Sequence, residues 1–401
     1  MKHLSAALLA VWLFGACQKN ENLTIHEEPN DLTELFNFEK YLDVRPLSYA
    51  SRLPAYLKAV GMNDPVISDS KAALGRVLFY DKTLSRDQKI SCATCHQQKS
   101  GFADAGPFSY GVNNQASTRN TPGLGNTANF AAHYTAIQGA APKLAWDEHG
   151  ASVAEVSRLA ITNPREMDMT MPEVVDRVAA QPYYPYLWRA AYGNTEVTEA
   201  RILECLDAFV GSISAYNTTF DRALEQTSGK LSVTDTIVTQ IYYGGPSDTT
   251  IITSLPFFSP NAFRGLKLFV DHCSKCHSPI RPFQEVFMAC NGLDLEYNDK
   301  GLGALTGNPA DIGVFKSPSL RNIALTAPYM HDGRLKTLKD VVEFYSTGVQ
   351  EHPNLHPAMR SANGSAQMNF TEQEKTDLIA FLHTLTDNSL ASDERFSNPF
   401  K

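Results

Sequence analysis

Apolar positions along the chain recur mainly at helical spacing. Ile202, Leu206, Phe209, Val210 and Ile213 fall on one face of a helix, as do Leu378, Phe381, Leu382 and Leu385. The second run is opened by Thr371 and Glu374, the spacing of a capping box, in which each side chain satisfies the other residue's backbone N–H. Shorter helices are predicted near 152–162, 171–180 and 336–345. One short pattern occurs twice, as Gly75-Arg76-Val77-Leu78-Phe79-Tyr80-Asp81 and as Gly265-Leu266-Lys267-Leu268-Phe269-Val270-Asp271. Its shared form, Gly-x-x-Leu-Phe-x-Asp, predicts duplicated units that each open with an amphipathic helix. Strand patterns are few. Residues 226–258 are rich in Ser, Thr, Gly and Pro and read as an irregular connection with room for a hairpin, while the polar segment 18–45 reads as an extended tether or arm. The expected class is mainly α, with one unit over 46–225, a second over 259–386 and a tail over 387–401.

The first residues stand apart from this pattern. Lys2 and His3 precede an apolar stretch from Leu4 to Phe14, too short to span a bilayer and of the right length for a signal-peptide core. Gly15-Ala16-Cys17 then resembles the lipobox of bacterial lipoproteins, which predicts export to the periplasm, residues 1–17 as leader, and a lipid anchor on Cys17 as the only membrane attachment. Composition agrees with a soluble globular mature chain, since 43% of residues are apolar, 19% are charged, and no apolar run reaches the length of a membrane span. With 35 Lys and Arg against 43 Asp and Glu, the net charge is −8. Such a surface would not neutralise a phosphate backbone, so nucleic acid is excluded as the main partner.

Cysteine spacing changes the picture most. Four of the seven cysteines form two identical frames, Cys92-Ala93-Thr94-Cys95-His96 and Cys273-Ser274-Lys275-Cys276-His277, the pattern of c-type haem attachment. Cysteines at i and i+3 lie on one side of a helical turn and can both form thioethers to haem vinyl groups, and the histidine at i+4 points the same way, toward iron. A zinc ribbon would hold its two halves about 15–20 residues apart, far closer than these. A thioredoxin-like pair needs a βαβ setting that neither flank shows, and two local disulfides would leave both histidines without a purpose. Two covalently bound haem c groups are therefore expected. Cys205, in a helical pattern, and Cys290, in a loop, are expected to be buried thiols or a disulfide.

From about residue 46 to 386 the chain resembles the bacterial di-haem cytochrome c peroxidases and the related MauG-type enzymes. The resemblance rests on Leu84-Ser85 and Ile90-Ser91 before the first haem frame, Arg119-Asn120-Thr121-Pro122, Asn163-Pro164-Arg165-Glu166-Met167, the run from Phe315 to Asn322, and the run from Leu325 to Gly333. It implies two cytochrome c-like domains, with a peroxide-reacting N-terminal haem and a C-terminal haem that relays electrons. It also implies Glu166 as the acid/base group beside the first haem, Trp146 as a redox relay between the haems, and a calcium ion held by the Asn120 side chain and the carbonyls of Thr326 and Pro328. A homodimer is implied as well.

Three positions depart from the commonest pattern. Val156 stands where a glutamine partner of Glu166 is usual. Val112 replaces a histidine that in many members blocks the first haem, so that His96 is expected to be its one protein ligand unless His133 or His149 substitutes. Tyr345 stands where peroxidases supply a methionine to the second iron, as in MauG-type enzymes, with Met330 and Met359 as the alternative ligands. A phenolate is a harder, anionic donor than a thioether and lowers the reduction potential. The leading expectation is a peroxidase that reduces hydrogen peroxide to water with electrons from a small redox protein, such as a mono-haem cytochrome c or cupredoxin. The alternatives are MauG-like oxidation of a protein or peptide residue through a high-valent di-haem state, and a non-catalytic di-haem electron carrier.

Overall fold

The computed structural model describes residues 32–43, 45–58, 62–128, 130–131, 135, 144–147, 149–228, 255–277, 287–361 and 363–401. The leader, Cys17, His133 and most of the 226–258 connection lie outside these residues.

The two copies of the repeated pattern fold alike. The first lies on α2 (Asp69–Tyr80), capped by Ser68, and α2 crosses α6 (Glu199–Ser212). The second lies on α8 (Pro260–His272), capped by Ser259, and α8 crosses α10 (Glu372–His383). The repeated glycine marks the crossing in both. A Cβ on Gly75 would come 1.8 Å from the Cys205 carbonyl oxygen, and one on Gly265 would come 1.9 Å from that of Asp377. Only hydrogen fits at such an approach. The repeated phenylalanine then meets a partner ring, with Phe79 5.1 Å from Phe209 and Phe269 4.9 Å from Phe381.

Around these crossings the predicted helices appear at α3 (Val153–Thr162), α4 (Met171–Ala179) and α9 (Leu338–Glu343), and the Thr371–Glu374 capping box forms on α10. Helix α5 (Tyr184–Tyr192) adds Tyr184, Leu187 and Trp188 to the first core. Strand pairing is confined to a short antiparallel pair, Met288–Cys290 with Val314–Lys316, and isolated bridges among the described residues.

Three segments pack differently from the expected boundaries. Within the expected tether, Leu32–Tyr41 forms helix α1, and Phe38 buries against Tyr186 with ring centroids 4.7 Å apart. The expected tail is part of the first core: Phe396 is fully buried between Phe102 and Phe209, and Arg76 and Tyr80 of α2 donate hydrogen bonds to the carbonyls of Ser397 and Phe396. The unit placed at 46–225 is also divided. Leu53, Tyr56 and Leu57, together with Phe220 and Leu224 of α7 (Thr219–Ser228), bury in the second core beside Phe381. The apolar side of each segment finds its cover across the molecule rather than beside it in sequence.

A buried ion pair fixes this exchange. Arg321 makes a two-pronged contact with Asp221 at 2.8 and 2.9 Å and also donates to Tyr56 and to the Ala215 carbonyl. Arg321 is 7% exposed and Asp221 1%, so each charge depends on the other's presence.

Candidate active site

Both Cys-x-x-Cys-His frames open onto one cavity of about 670 Å³ with a predominantly apolar wall. The first begins a single helical turn, Cys92–Cys95, capped by Ser91 and Thr94; the second follows the end of α8. His96 Nδ1 lies 2.8 Å from the Phe102 carbonyl and His277 Nδ1 2.9 Å from the Pro318 carbonyl. A carbonyl only accepts, so both Nδ1 atoms carry the proton and both Nε2 atoms keep a lone pair for a metal. Burial lowers the pKa of each imidazole, which favours the neutral, ligating form. Burial likewise pushes the thiols of Cys92 and Cys273 up to about 12 and that of Cys95 to about 11. Paired thiols and neutral imidazoles on an apolar cavity fit two covalently attached haems.

Glu166 reaches this cavity from the turn after α3. Asn163, the C-cap of α3, accepts the backbone N–H of Glu166 and of Asp168 on its carbonyl, which folds the turn back on the helix. The Asn163 side chain donates to Glu166 Oε1 at 2.7 Å. Burial raises the Glu166 carboxyl above the ordinary range, and the Asn163 hydrogen bond opposes that rise only in part. Val112 is fully buried and off the cavity wall, and its N–H donates to the Glu166 carbonyl at 2.8 Å. Val156 lies on the wall, in an apolar group with Phe130, Leu144 and Val153.

Trp146 is gripped from both halves. Its indole N–H donates to the Asn120 carbonyl at 2.8 Å, and its own carbonyl accepts the Lys316 N–H of the second half at 2.8 Å. On either side lies an ion cluster that sequence reasoning missed. Arg119 pairs with Asp147 at 2.5 Å and with Asp299 at 2.6 and 2.8 Å, and Asp147 also contacts His149. The available signal was adjacency, since Arg119 precedes Asn120 and Asp147 follows Trp146.

Comparison with known proteins shows the family. Residues 69–229 match the family model of the di-haem cytochrome c peroxidases. The methylamine utilization protein MauG of Methylorubrum extorquens is 32% identical over 80% of this chain and 79% of its own length. The chain belongs to this di-haem peroxidase family. The cytochrome c551 peroxidase of Nitrosomonas europaea is 28% identical over 79% of each chain. Among solved structures, a MauG-like protein associated with microbial copper homeostasis superposes with a TM-score of 0.64 at 28% identity, covering 89% of this chain and 99% of that one. As a di-haem peroxidase the chain is an oxidoreductase acting on peroxide and carries two haem c groups.

Tyr345, the expected ligand at the second haem frame, falls in a π-helical turn, Phe344–Gly348, that extends α9. The turn places Tyr345 on the cavity wall, where burial pushes its phenol up to about 12 while a hydrogen bond with Asn291 opposes the rise. Asn291 also lies 3.7 Å from the Met330 sulfur, and Met330 and Met359 share the same wall. All three candidate ligands therefore line the shared cavity and belong to one apolar group, and Asn291 was not foreseen. Asn120, Thr326 and Pro328 border the cavity together. The Asn120 amide nitrogen is spent on the carbonyls of Gly106 and Pro107, and no described residue donates to its oxygen. This leaves a hard oxygen donor of the kind calcium takes. Cys205 and Cys290 are buried free thiols, within 3.5 Å of the Tyr192 hydroxyl and 3.7 Å of the Tyr297 hydroxyl.

Proposed function

We propose that the chain reduces hydrogen peroxide at its N-terminal haem site with electrons entering through the C-terminal one. The reading is carried by one observation, a carboxyl group, Glu166, placed on the wall of the cavity that the His96 frame and the His277 frame share. When bound, the haems supply the irons and the electrons that reduce peroxide. The chain's own residues do the rest. His96 and His277 each present Nε2 to an iron, fixed by the carbonyls of Phe102 and Pro318. Glu166, with its pKa raised by burial, moves a proton from one peroxide oxygen to the other, so that the departing oxygen leaves as water. Trp146, held by Asn120 and Lys316, offers an oxidisable ring between the two sites. Asn120, Thr326 and Pro328 would hold calcium and stiffen the same junction.

The donor in this reading is a small mono-haem cytochrome c or cupredoxin. The working compartment is the periplasm, with Cys17 as lipid anchor and a homodimer as the assembly; no described helix is long and apolar enough to cross a membrane. A second reading, peroxide-driven oxidation of a protein or peptide residue in the manner of MauG, is favoured by Tyr345 at the second frame and by Val112, which cannot ligate the first iron. Electron paramagnetic resonance of the ferric holoprotein tests the site: one high-spin and one low-spin signal are expected, and two low-spin signals would overturn the open first site. Turnover with a reduced cytochrome then separates the readings, since brisk oxidation of the cytochrome favours the first. A stable two-equivalent oxidised state that ignores the cytochrome favours the second.

A further inference from the structure

Peroxide reduction consumes two protons for every two electrons, H2O2 + 2 H+ + 2 e− → 2 H2O. Glu166 shuttles a proton within the peroxide, and some group must bring the two that are consumed. The glutamine that commonly accompanies this carboxylate is Val156 here. The space beside it is taken by a tight loop. Leu144 and Gly150 close that loop as an antiparallel bridge, with the Leu144 N–H donating to the Gly150 carbonyl at 2.7 Å. A Cβ on Gly150 would come 2.3 Å from a Val156 methyl group, so the two residues are sized for each other. A longer side chain at 156 would displace the loop.

That loop carries His149 to the cavity wall, alongside Glu166 and Val156. Its Nδ1 contacts one oxygen of Asp147, and the other oxygen of Asp147 is held by Arg119 at 2.5 Å. Because the Asp147 carboxylate only accepts, Nδ1 carries the proton and Nε2 is left as the exchanging atom. Burial alone would push the Asp147 carboxyl up, yet the hydrogen bonds from His149 and Arg119 hold it at about 2, so this support stays charged at working pH. The imidazole is also close enough to act electrostatically on the Glu166 carboxyl, where, after the Asn163 hydrogen bond, it opposes part of the rise that burial causes. The His149 side chain is 38% exposed, which opens it to exchange with solvent.

Resting on the role of Glu166 given above, we propose that His149 is a second proton-transfer group of the peroxide pocket, taking the place of the missing glutamine and delivering solvent protons through Nε2. Asp147 is its positioning residue. The test compares His149→Gln, His149→Gly and Glu166→Gln in the holoprotein by two stopped-flow rates, reaction with peroxide and binding of cyanide to the ferric first haem. Cyanide enters as HCN and must give up its proton in the pocket, so its on-rate reads proton transfer without turnover. His149→Gln is expected to lower both rates on the order of 10²-fold with an unchanged high-spin signal, and His149→Gly should lower them at least as far. Loss in Glu166→Gln alone overturns the role of His149, and loss in His149→Gln alone overturns that of Glu166. No loss in either overturns both. A new high-spin signal on removing His149 would make it an iron ligand instead, which also overturns the proposal.

Discussion

In the first half, Gly75 of α2 rests on the Cys205 carbonyl of α6 and Phe79 meets Phe209; in the second, Gly265 of α8 rests on the Asp377 carbonyl of α10 and Phe269 meets Phe381. Each half thus sets a Cys-x-x-Cys-His frame on the same helical crossing. What lies over the frames differs. His96 is oriented by a carbonyl six residues away, and its cavity wall carries Glu166, Val156 and His149. His277 is oriented from 41 residues away, by the segment that also carries Arg321, and its wall carries Tyr345, Met330 and Asn291. The crossing is a shared frame on which acid/base groups were gathered at one site and ligand-type side chains at the other. The two haem seats are built alike, and the loops over them bring different side chains.

The largest expected effect tests that division. Glu166→Gln should slow the peroxide reaction about 10²- to 10⁴-fold while leaving the spectrum of the second haem unchanged. Tyr345→Phe should do the opposite, sparing the first step and raising the potential of the second haem in a spectroelectrochemical titration. An exchange of these two outcomes would reverse the assignment of the halves.

The shared frame can be broken next. Gly75→Ala and Gly265→Ala each drive a methyl group into a backbone carbonyl, and each should cost about 1–3 kcal/mol or more, read as a fall in midpoint in thermal or denaturant unfolding. A loss within about 0.5 kcal/mol at either position would show that the two crossings are not energetically alike.

A further effect is expected in acid. The Asp147 carboxyl is held at about 2 by its hydrogen bonds with His149 and Arg119 despite burial, against an ordinary 3.8. A depressed carboxyl stabilises the fold above its unfolded pKa and loses that contribution as pH falls through the folded one. The contribution of Asp147 should therefore fall by on the order of 2 kcal/mol between about pH 4 and pH 2. Denaturant titrations across that window should show a shallower decline for Asp147→Asn than for the parent.

Much of this was legible because it is local. The Cys-x-x-Cys-His frames, the Thr371–Glu374 capping box and the face from Ile202 to Ile213 each lie within one or a few helical turns, and periodicity reads such spans directly. Arrangements that depend on distant partners were not legible. Phe396 and Phe38 lie in segments that look like a polar tail and arm, and their cover lies on α2, α6 and α5. Leu53 and Phe220 sit in the sequence of one half and bury in the other, held there by Arg321 and Asp221, 100 residues apart. At the site, Glu166 came from a motif, whereas Asn291 and Asp147 came into view only with the fold. Each acts through a side chain that sequence alone leaves without a partner.

The position of Phe396 has a consequence for biogenesis. Because Phe396 fills a gap between Phe102 and Phe209, the half that is made first cannot settle into its final packing until the segment around residue 396 has been made. The first Cys-x-x-Cys-His frame, whose His96 lies beside the Phe79 and Phe102 rings, therefore gains its final surroundings only after the second frame has been made.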